Sequence, residues 1–312
     1  MNNLCALCPR NCQADRLNGK TGFCGQTNEI RVARAALHMW EEPCISGTNG
    51  SGTVFFSGCT LRCVFCQNTN ISSGNHGKLI SPNRLCDIFL ELQTQGANNI
   101  NLVTPSHFVP QIVQALELSK QNGLTIPIVY NTGSYEAVET LRMLEGLVDI
   151  YLPDLKYYSS KLSLRYSHAE DYFDVATKVI SEMVRQTGAP VFDSFSSTIS
   201  ATDSTDDYVT MPLIKSGVIV RHLVLPGCVE DSKHVIDHLY TTYGNQIYIS
   251  IMNQFTPIGD LSKYPELNRK LTPEEYDELV DYAISIGVEN GFIQEGDTAD
   301  ESFIPPFDLT GI

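Results

Sequence analysis

From residue 53 onward, short apolar runs alternate with amphipathic stretches. The runs 53–57, 100–104, 126–130, 148–152, 218–225 and 247–251 are rich in Val, Ile, Leu, Phe and Tyr, the composition of parallel strands covered on both faces. Between the first two, Leu85, Ile88, Phe89 and Leu92 fall at i, i+3, i+4 and i+7 behind Ser81-Pro82, a cap and a first helical residue. Val109, Ile112, Val113 and Leu116 repeat that stripe, and further helices are predicted near 135–146, 169–187 and 230–242. Six such units with right-handed crossovers predict an α/β fold, a partial (β/α)6 barrel rather than the full eight. Leu271-Thr272-Pro273-Glu274-Glu275 is a capping box opening a helix with Tyr276, Leu279, Val280 and Ala283 on one face. The stretch from Gly291 to Ile312 is apolar and Pro-rich and is expected to pack back on the barrel. Residues 193–210, dominated by Ser, Thr and Asp, read as a surface-loop insertion.

Residues 1–52, where the strand pattern has not begun, form a separate cysteine-rich arm and linker ahead of a barrel unit spanning 53–312. Net charge of −15 argues against a nucleic-acid partner held through its phosphates. No apolar run approaches the roughly 20 residues that span a bilayer, and the start lacks a secretory pattern. A cytoplasmic protein is expected. Ten cysteines in that setting point to metal binding rather than disulfides.

Three of them, Cys59, Cys63 and Cys66, sit at C-x3-C-x2-C spacing in one loop straight after the first predicted strand. Three close thiolates suit three irons of a [4Fe–4S] cluster, leaving a fourth iron free to bind something else. The competing reading is a zinc knuckle, which ordinarily needs a second knuckle, or a group of buried thiols. Cys5, Cys8, Cys12 and Cys24 make a second set at C-x2-C-x3-C-x11-C spacing. Four thiolates there would form a structural zinc site or an auxiliary iron–sulfur cluster; without metal they would be four reduced, partly exposed thiols.

In a parallel barrel, reactive groups gather at the carboxyl ends of the strands. Those ends read Gln67-Asn68 after the cysteine loop, Thr104-Pro105-Ser106-His107, Tyr130-Asn131-Thr132-Gly133, Asp154-Leu155-Lys156, Arg221 through Pro226-Gly227-Cys228, and Met252-Asn253-Gln254. A zwitterionic ligand would need such polar groups at the mouth. His107 is either a proton relay or a hydrogen-bonded strand-end histidine. Cys228 is either a hydrogen-atom donor or an inert thiol, Cys86 reads as structural, and Cys44 is either a spare ligand or a small buried residue. His38, Trp40 and Glu41 either line a substrate mouth or belong to a packed strand with a solvated Glu41-Glu42 end.

The cysteine spacing, with Phe65 just before the last cysteine, resembles the radical S-adenosylmethionine (SAM) superfamily. Asn68, Asp154-Leu155-Lys156 and Val220-Arg221…Leu225-Pro226-Gly227 resemble the pyruvate formate-lyase activating enzymes. The arm, the stretch Leu37 to Cys44 and the ending Phe292-Ile293-Gln294-Glu295-Gly296…Pro305-Pro306-Phe307-Asp308 are similar to the X-type group of that family, related to the radical SAM partners of Memo proteins. The resemblance covers nearly the whole chain except 193–210. It implies SAM bound at the unique iron, an electron from a donor such as flavodoxin or ferredoxin, and cleavage to a 5′-deoxyadenosyl radical that abstracts hydrogen from substrate. It further implies that Asn68, Asp154, Lys156 and Arg221 help hold SAM, with Phe65 near the adenine and Asn131 and Thr132 at the SAM and cation site. Two departures stand out. Asn131 replaces a carboxylate, and Thr104-Pro105-Ser106-His107 replaces Gly-Gly-Glu, leaving Ser106 and backbone carbonyls as the acceptors for the SAM amino group. The implied substrate is a glycine of a glycyl-radical enzyme, with another peptide or a small metabolite as the alternative. A purely electron-carrying iron–sulfur protein is a third reading.

Overall fold

The computed structural model describes residues 4–73, 75–194, 211–294 and 305–312. Six parallel strands form its frame: β2 (Ser51–Phe56), β4 (Ile100–Val103), β5 (Ile128–Thr132), β6 (Ile150–Pro153), β8 (Ile214–Leu223) and β9 (Tyr248–Met252). These are the predicted units, each within a few residues of its apolar run. The helices α3 (Pro82–Thr94), α4 (Val109–Gln121), α5 (Val138–Arg142), α6 (Ser160–Ser167), α7 (Tyr172–Thr187), α8 (Val229–Tyr243) and α9 (Pro273–Ser285) complete the alternation. Leu85, Ile88, Phe89 and Leu92 of α3 are buried as their spacing requires, and Ser81 caps the helix by accepting from Arg84 N–H. The capping box at Thr272 and Glu275 forms with both of its hydrogen bonds.

Strands the periodicity missed extend the sheet at both edges. β10 (Gly291–Ile293) adds in parallel beyond β9, giving a seventh parallel strand. On the other side β1 (Ile30–His38) runs antiparallel to β2, and β3 (Lys78–Ile80) antiparallel to β1. A two-residue strand, β7 (Val191–Phe192), flanks β8. The order β10-β9-β8-β6-β5-β4-β2-β1-β3 does not close among the described residues, so the barrel is partial. Residues 30–46, which read as a link, thus belong to the sheet and its floor, and the division placed at 52 falls inside β2. The predicted helix at 135–146 shrinks to α5, because Ser134 is left-handed (φ 63°) and Glu136 is held by neighbouring hydroxyls. The 193–210 insertion lies almost wholly outside the described residues.

The chain leaves β1 at the amino-terminal end of β2 and turns beneath the barrel. There α1 (Pro43–Ser46) plugs the floor: Cys44 and Ile45 pack with Val129, Ile150, Leu152, Ile214 and Ile219. Asn99 Nδ2 donates to Ile45 O (2.8 Å) and Asn98 Nδ2 to Ser46 O (2.6 Å), which satisfies the backbone of this short helix. The chain's last residues return to β1. Ala35 N–H donates to Thr310 O (2.9 Å), Leu309 N–H to Ala33 O (3.2 Å), and Phe307 packs on Phe55 with ring centroids 5.5 Å apart. The expected packing of the tail on the barrel is therefore seen for residues 305–312. No helix among the described residues is long and apolar enough to cross a membrane.

Candidate active site

The cysteine loop follows β2 at the carboxyl end of the sheet. Its path is set by buried Leu61 and Phe65, the latter against Phe255 with centroids 6.0 Å apart. Val64 N–H donates to Tyr166 O (2.9 Å) and Gln67 Nε2 to Gln254 O (2.8 Å), tying the loop to α6 and to the end of β9. Ser167 Oγ donates to Cys63 Sγ at 2.9 Å, and the Asn68 N–H and the Ser72 hydroxyl point to the Cys66 sulfur. The half-buried Asn68 leads into α2 (Thr69–Ser72). Burial pushes the Cys63 thiol up to about 12, with Lys156 nearby pulling the other way, and burial also raises Cys66.

Beneath the loop lies a chain of charges. Lys156 Nζ donates to Asp154 Oδ2 (2.6 Å) and Arg221 Nε to Asp154 Oδ1 (3.1 Å). Arg221 Nη2 donates to Asn131 Oδ1 (2.6 Å) and Nη1 to Glu41 Oε2 (3.3 Å); Asn101 Nδ2 donates to Glu41 Oε1 (2.9 Å). Burial alone would raise Asp154, but Lys156 and Arg221 outweigh it and hold its carboxyl below the usual range. Burial works against the Lys156 ammonium too, and Asp154 and Cys63 override it. Sequence reasoning named Asn131, Asp154, Lys156 and Arg221 at the mouth, and the structure brings all four together. Of the two readings for Glu41 and Glu42, the solvated end is the one that fails. Glu41 and Glu42 are not solvated but enter the lumen from below, and burial raises both carboxyls. Trp40, by contrast, is 65% exposed.

Ser106 and Thr132 face elsewhere. Both hydroxyls, with that of Tyr130, donate to the buried carboxylate of Glu136: Ser106 Oγ at 2.9 Å, Tyr130 OH at 2.7 Å, and Thr132 Oγ1. Burial raises Glu136 and the three donors oppose it. Glu136 was missed because it sits four residues past a strand end, in a stretch read as helix. His107 is buried, with Nε2 2.7 Å from Ser57 O, and burial lowers its pKa to about 3. It stays neutral and joins two strand ends, which is the structural reading rather than a relay. Cys228 precedes α8 half-buried, pushed up to about 11 by burial; Cys86 and Cys44 are buried.

The arm docks beside the cysteine loop through two arginines that composition alone did not single out. Arg10 Nε donates to Thr60 O (2.9 Å) and Nη2 to Ser167 O (3.1 Å), while its guanidinium lies 4.0 Å from the Phe23 ring centroid and 4.9 Å from that of Tyr135. Arg16, 4% exposed, donates from Nη1 to His107 O (2.6 Å) and from Nε to Thr27 O (3.0 Å). Gly58, at φ +87°, is where arm and loop touch: an added Cβ would lie 2.7 Å from Cys24 O and 2.6 Å from Gln26 Cγ. Cys5, Cys12 and Cys24 all act electrostatically on half-buried Cys8, so the four thiols share one neighbourhood. Among the described residues, no three Cys, His, Asp or Glu side chains are drawn together at single-ion spacing. A four-iron cluster spreads its thiolates around a cube, so it asks for wider sulfur spacing than tetrahedral zinc.

Comparison with known proteins adds the following. The sequence model of a 4Fe-4S single cluster domain matches residues 45–164, which contain the three-cysteine loop and β2 to β6. An uncharacterized protein of Methanocaldococcus jannaschii is 28% identical over 290 residues, covering 89% of this chain and 74% of that protein. Among solved structures, Streptococcus suis SuiB bound to its precursor peptide SuiA aligns with 76% of this chain and 46% of its own, at 13% identity and a TM-score of 0.48. Methylornithine synthase PylB aligns with 72% of this chain and 59% of its own, also at 13% identity and a TM-score of 0.48. The chain thus spans about half the length of the solved structures that it matches.

Proposed function

We propose that this chain is a radical SAM enzyme, with a [4Fe–4S] cluster on Cys59, Cys63 and Cys66 and SAM bound over the carboxyl ends of the strands. One observation carries the reading: a three-cysteine loop directly follows the first parallel strand of a partial barrel, with Lys156 beside Cys63. The donor set fits a cluster. Cys59 and Cys66 both act electrostatically on Cys63, so the three sulfurs share one neighbourhood, and soft thiolates suit iron–sulfur chemistry. When bound, the cluster supplies the electron that cleaves the SAM sulfonium.

The chain's own residues have separate tasks. Asp154, Lys156, Arg221 and Asn131 converge and offer carboxylate, ammonium, guanidinium and amide groups to a zwitterion. Asn68 lies next to the third cysteine, and Phe65 with Phe255 gives an apolar wall for the adenine. Thr132 and Ser106 act through Glu136, fixing the ends of β4 and β5. The buried floor keeps water from the lumen, which protects a radical reaction from side paths. In the same reading Cys5, Cys8, Cys12 and Cys24 hold a second metal centre, zinc or iron–sulfur, beside the loop. A flavodoxin or ferredoxin is the electron donor. The substrate is the glycine of a glycyl-radical enzyme, another peptide, or a small metabolite.

The test is anaerobic reconstitution with iron, sulfide and zinc counts on the wild type and Cys59→Ala, with 5′-deoxyadenosine as the product assayed. Cys59→Ala is expected to lose one cluster and all SAM cleavage while keeping the arm's metal. Cleavage retained by that variant would refute the assignment, and a wild type that never cleaves SAM would leave an electron carrier. A glycyl EPR doublet on mixing with a candidate partner separates activase chemistry from the other substrates.

A further inference from the structure

The charges in the lumen do not balance. Glu41, Glu42 and Asp154 are three carboxyl groups set against two cations, Arg221 and Lys156, within one buried set, so ionising all three leaves one negative charge over, which burial disfavours on the glutamates. Glu41 is fully engaged, with one oxygen on Asn101 and the other on Arg221. Asp154 is likewise held on both oxygens. Glu42, only 8% exposed, takes a hydrogen bond from Ser250, yet its Oε2 has no partner among the described residues. The same holds for Oδ1 of Asn101, which is fully buried and whose Nδ2 is committed to Glu41. A buried carboxylate oxygen and a buried amide oxygen without donors are each costly. A surplus negative charge makes a positive ligand the natural remedy.

We propose that Glu42 and Asn101, backed by Glu41, form a receptor for a singly charged cation at the foot of the lumen. The donors are hard oxygens, which suit an alkali ion or an ammonium group rather than a soft metal. One surplus charge matches one positive charge, so a divalent ion would leave the set over-compensated. Two sources share this chemistry: a free inorganic ion, or the ammonium group of a substrate lying in the lumen. The receptor itself stands apart from the cluster reading; only the second source rests on it.

The experiment is thermal unfolding of the full chain at constant ionic strength, replacing tetramethylammonium chloride stepwise with potassium, sodium or butylammonium chloride. Tetramethylammonium serves as background because it has no N–H and is too large for a closed carboxylate contact. The wild type is expected to show a saturable rise in Tm of about 4 °C at a hundredfold excess over Kd, and Glu42→Gln none. A rise with potassium or sodium alone identifies an inorganic ion, and one with butylammonium identifies an organic ammonium site. Asn101→Ala gives the same loss of response if Glu42→Gln does not fold. Equal responses in wild type and variants, or no response to any cation, would overturn the receptor and leave Glu42 held by a proton. SAM cleavage, assayed separately, reports on the cluster reading whichever way the cation result falls.

Discussion

Replacing Gly58 with alanine probes the contact between arm and cysteine loop without touching a sulfur. Gly58 has φ +87°, and an added Cβ would meet Gln26 Cγ at 2.6 Å, Cys24 O at 2.7 Å and His107 Nε2 at 3.1 Å. Two costs add. A left-handed non-glycine residue costs about 1–2 kcal/mol, and forcing a methyl group into packed surroundings about 1–3 kcal/mol. Gln26 is a flexible side chain and can yield, but the Cys24 carbonyl is backbone, so the arm must shift. The sum is about 2–5 kcal/mol. A matched control exists in Gly96, which has φ +88° and nothing within 4 Å of an added Cβ, so Gly96→Ala carries only the first cost. Urea unfolding of the two variants should differ by about 1–3 kcal/mol. Hydrogen exchange should show the extra loosening of Gly58→Ala in residues 4–28. Equal destabilisation of the two variants would refute the close approach.

Removing Arg221 as Arg221→Met takes the cation from Glu41, leaving it only the Asn101 amide, and leaves Asp154 to Lys156 alone; it should cost about 3–5 kcal/mol by denaturant midpoint. A loss under 1 kcal/mol would mean that the network is relaxed by solvent. His107 and His222 are held neutral by burial, with pKa values lowered to about 3 and about 4. Above pH 6.5 neither state binds these protons. Below it the unfolded chain binds them and the native one does not, so stability falls as pH drops toward 4, by about 1.4 kcal/mol per histidine per pH unit. Unfolding free energies between pH 7 and 4.5 check this, and His107→Gln should show a shallower fall than the wild type.

What the sequence displayed well was whatever repeats along the chain. The apolar runs at 100–104 and 148–152 became β4 and β6, the stripe at Leu85 to Leu92 became α3, and Thr272 became a capping box. These signals are local and follow from helix and strand periods. What it hid was whatever depends on partners far away in the chain. β1 reads as a mixed stretch, Ile30-Arg31-Val32-Ala33-Arg34, because its outer side is completed by β3 and by the tail, both distant in the chain. Glu41 and Glu42 look like a solvated pair until Arg221, 180 residues on, is placed opposite. Glu136 gives no warning, since three hydroxyls from Ser106, Tyr130 and Thr132 define it. At the candidate site, Asn131, Asp154, Lys156 and Arg221 were legible because barrel geometry sends strand ends to one place. Arg10 and Arg16 were not, because their acceptors are carbonyls with no sequence signature.

The pairing of residues 309 and 310 with β1 has a consequence for synthesis. β1 and β2 can pair as soon as both leave the ribosome, but the outer edge of β1 below β3 then has unsatisfied amides and carbonyls. Its backbone partners, residues 309 and 310, are translated about 270 positions later. Until those residues emerge, the nascent chain therefore carries an open strand edge next to the apolar ring of Phe55, a template for pairing with a neighbouring chain. Chains that stop short of residue 305 should aggregate during synthesis even where the barrel core has folded.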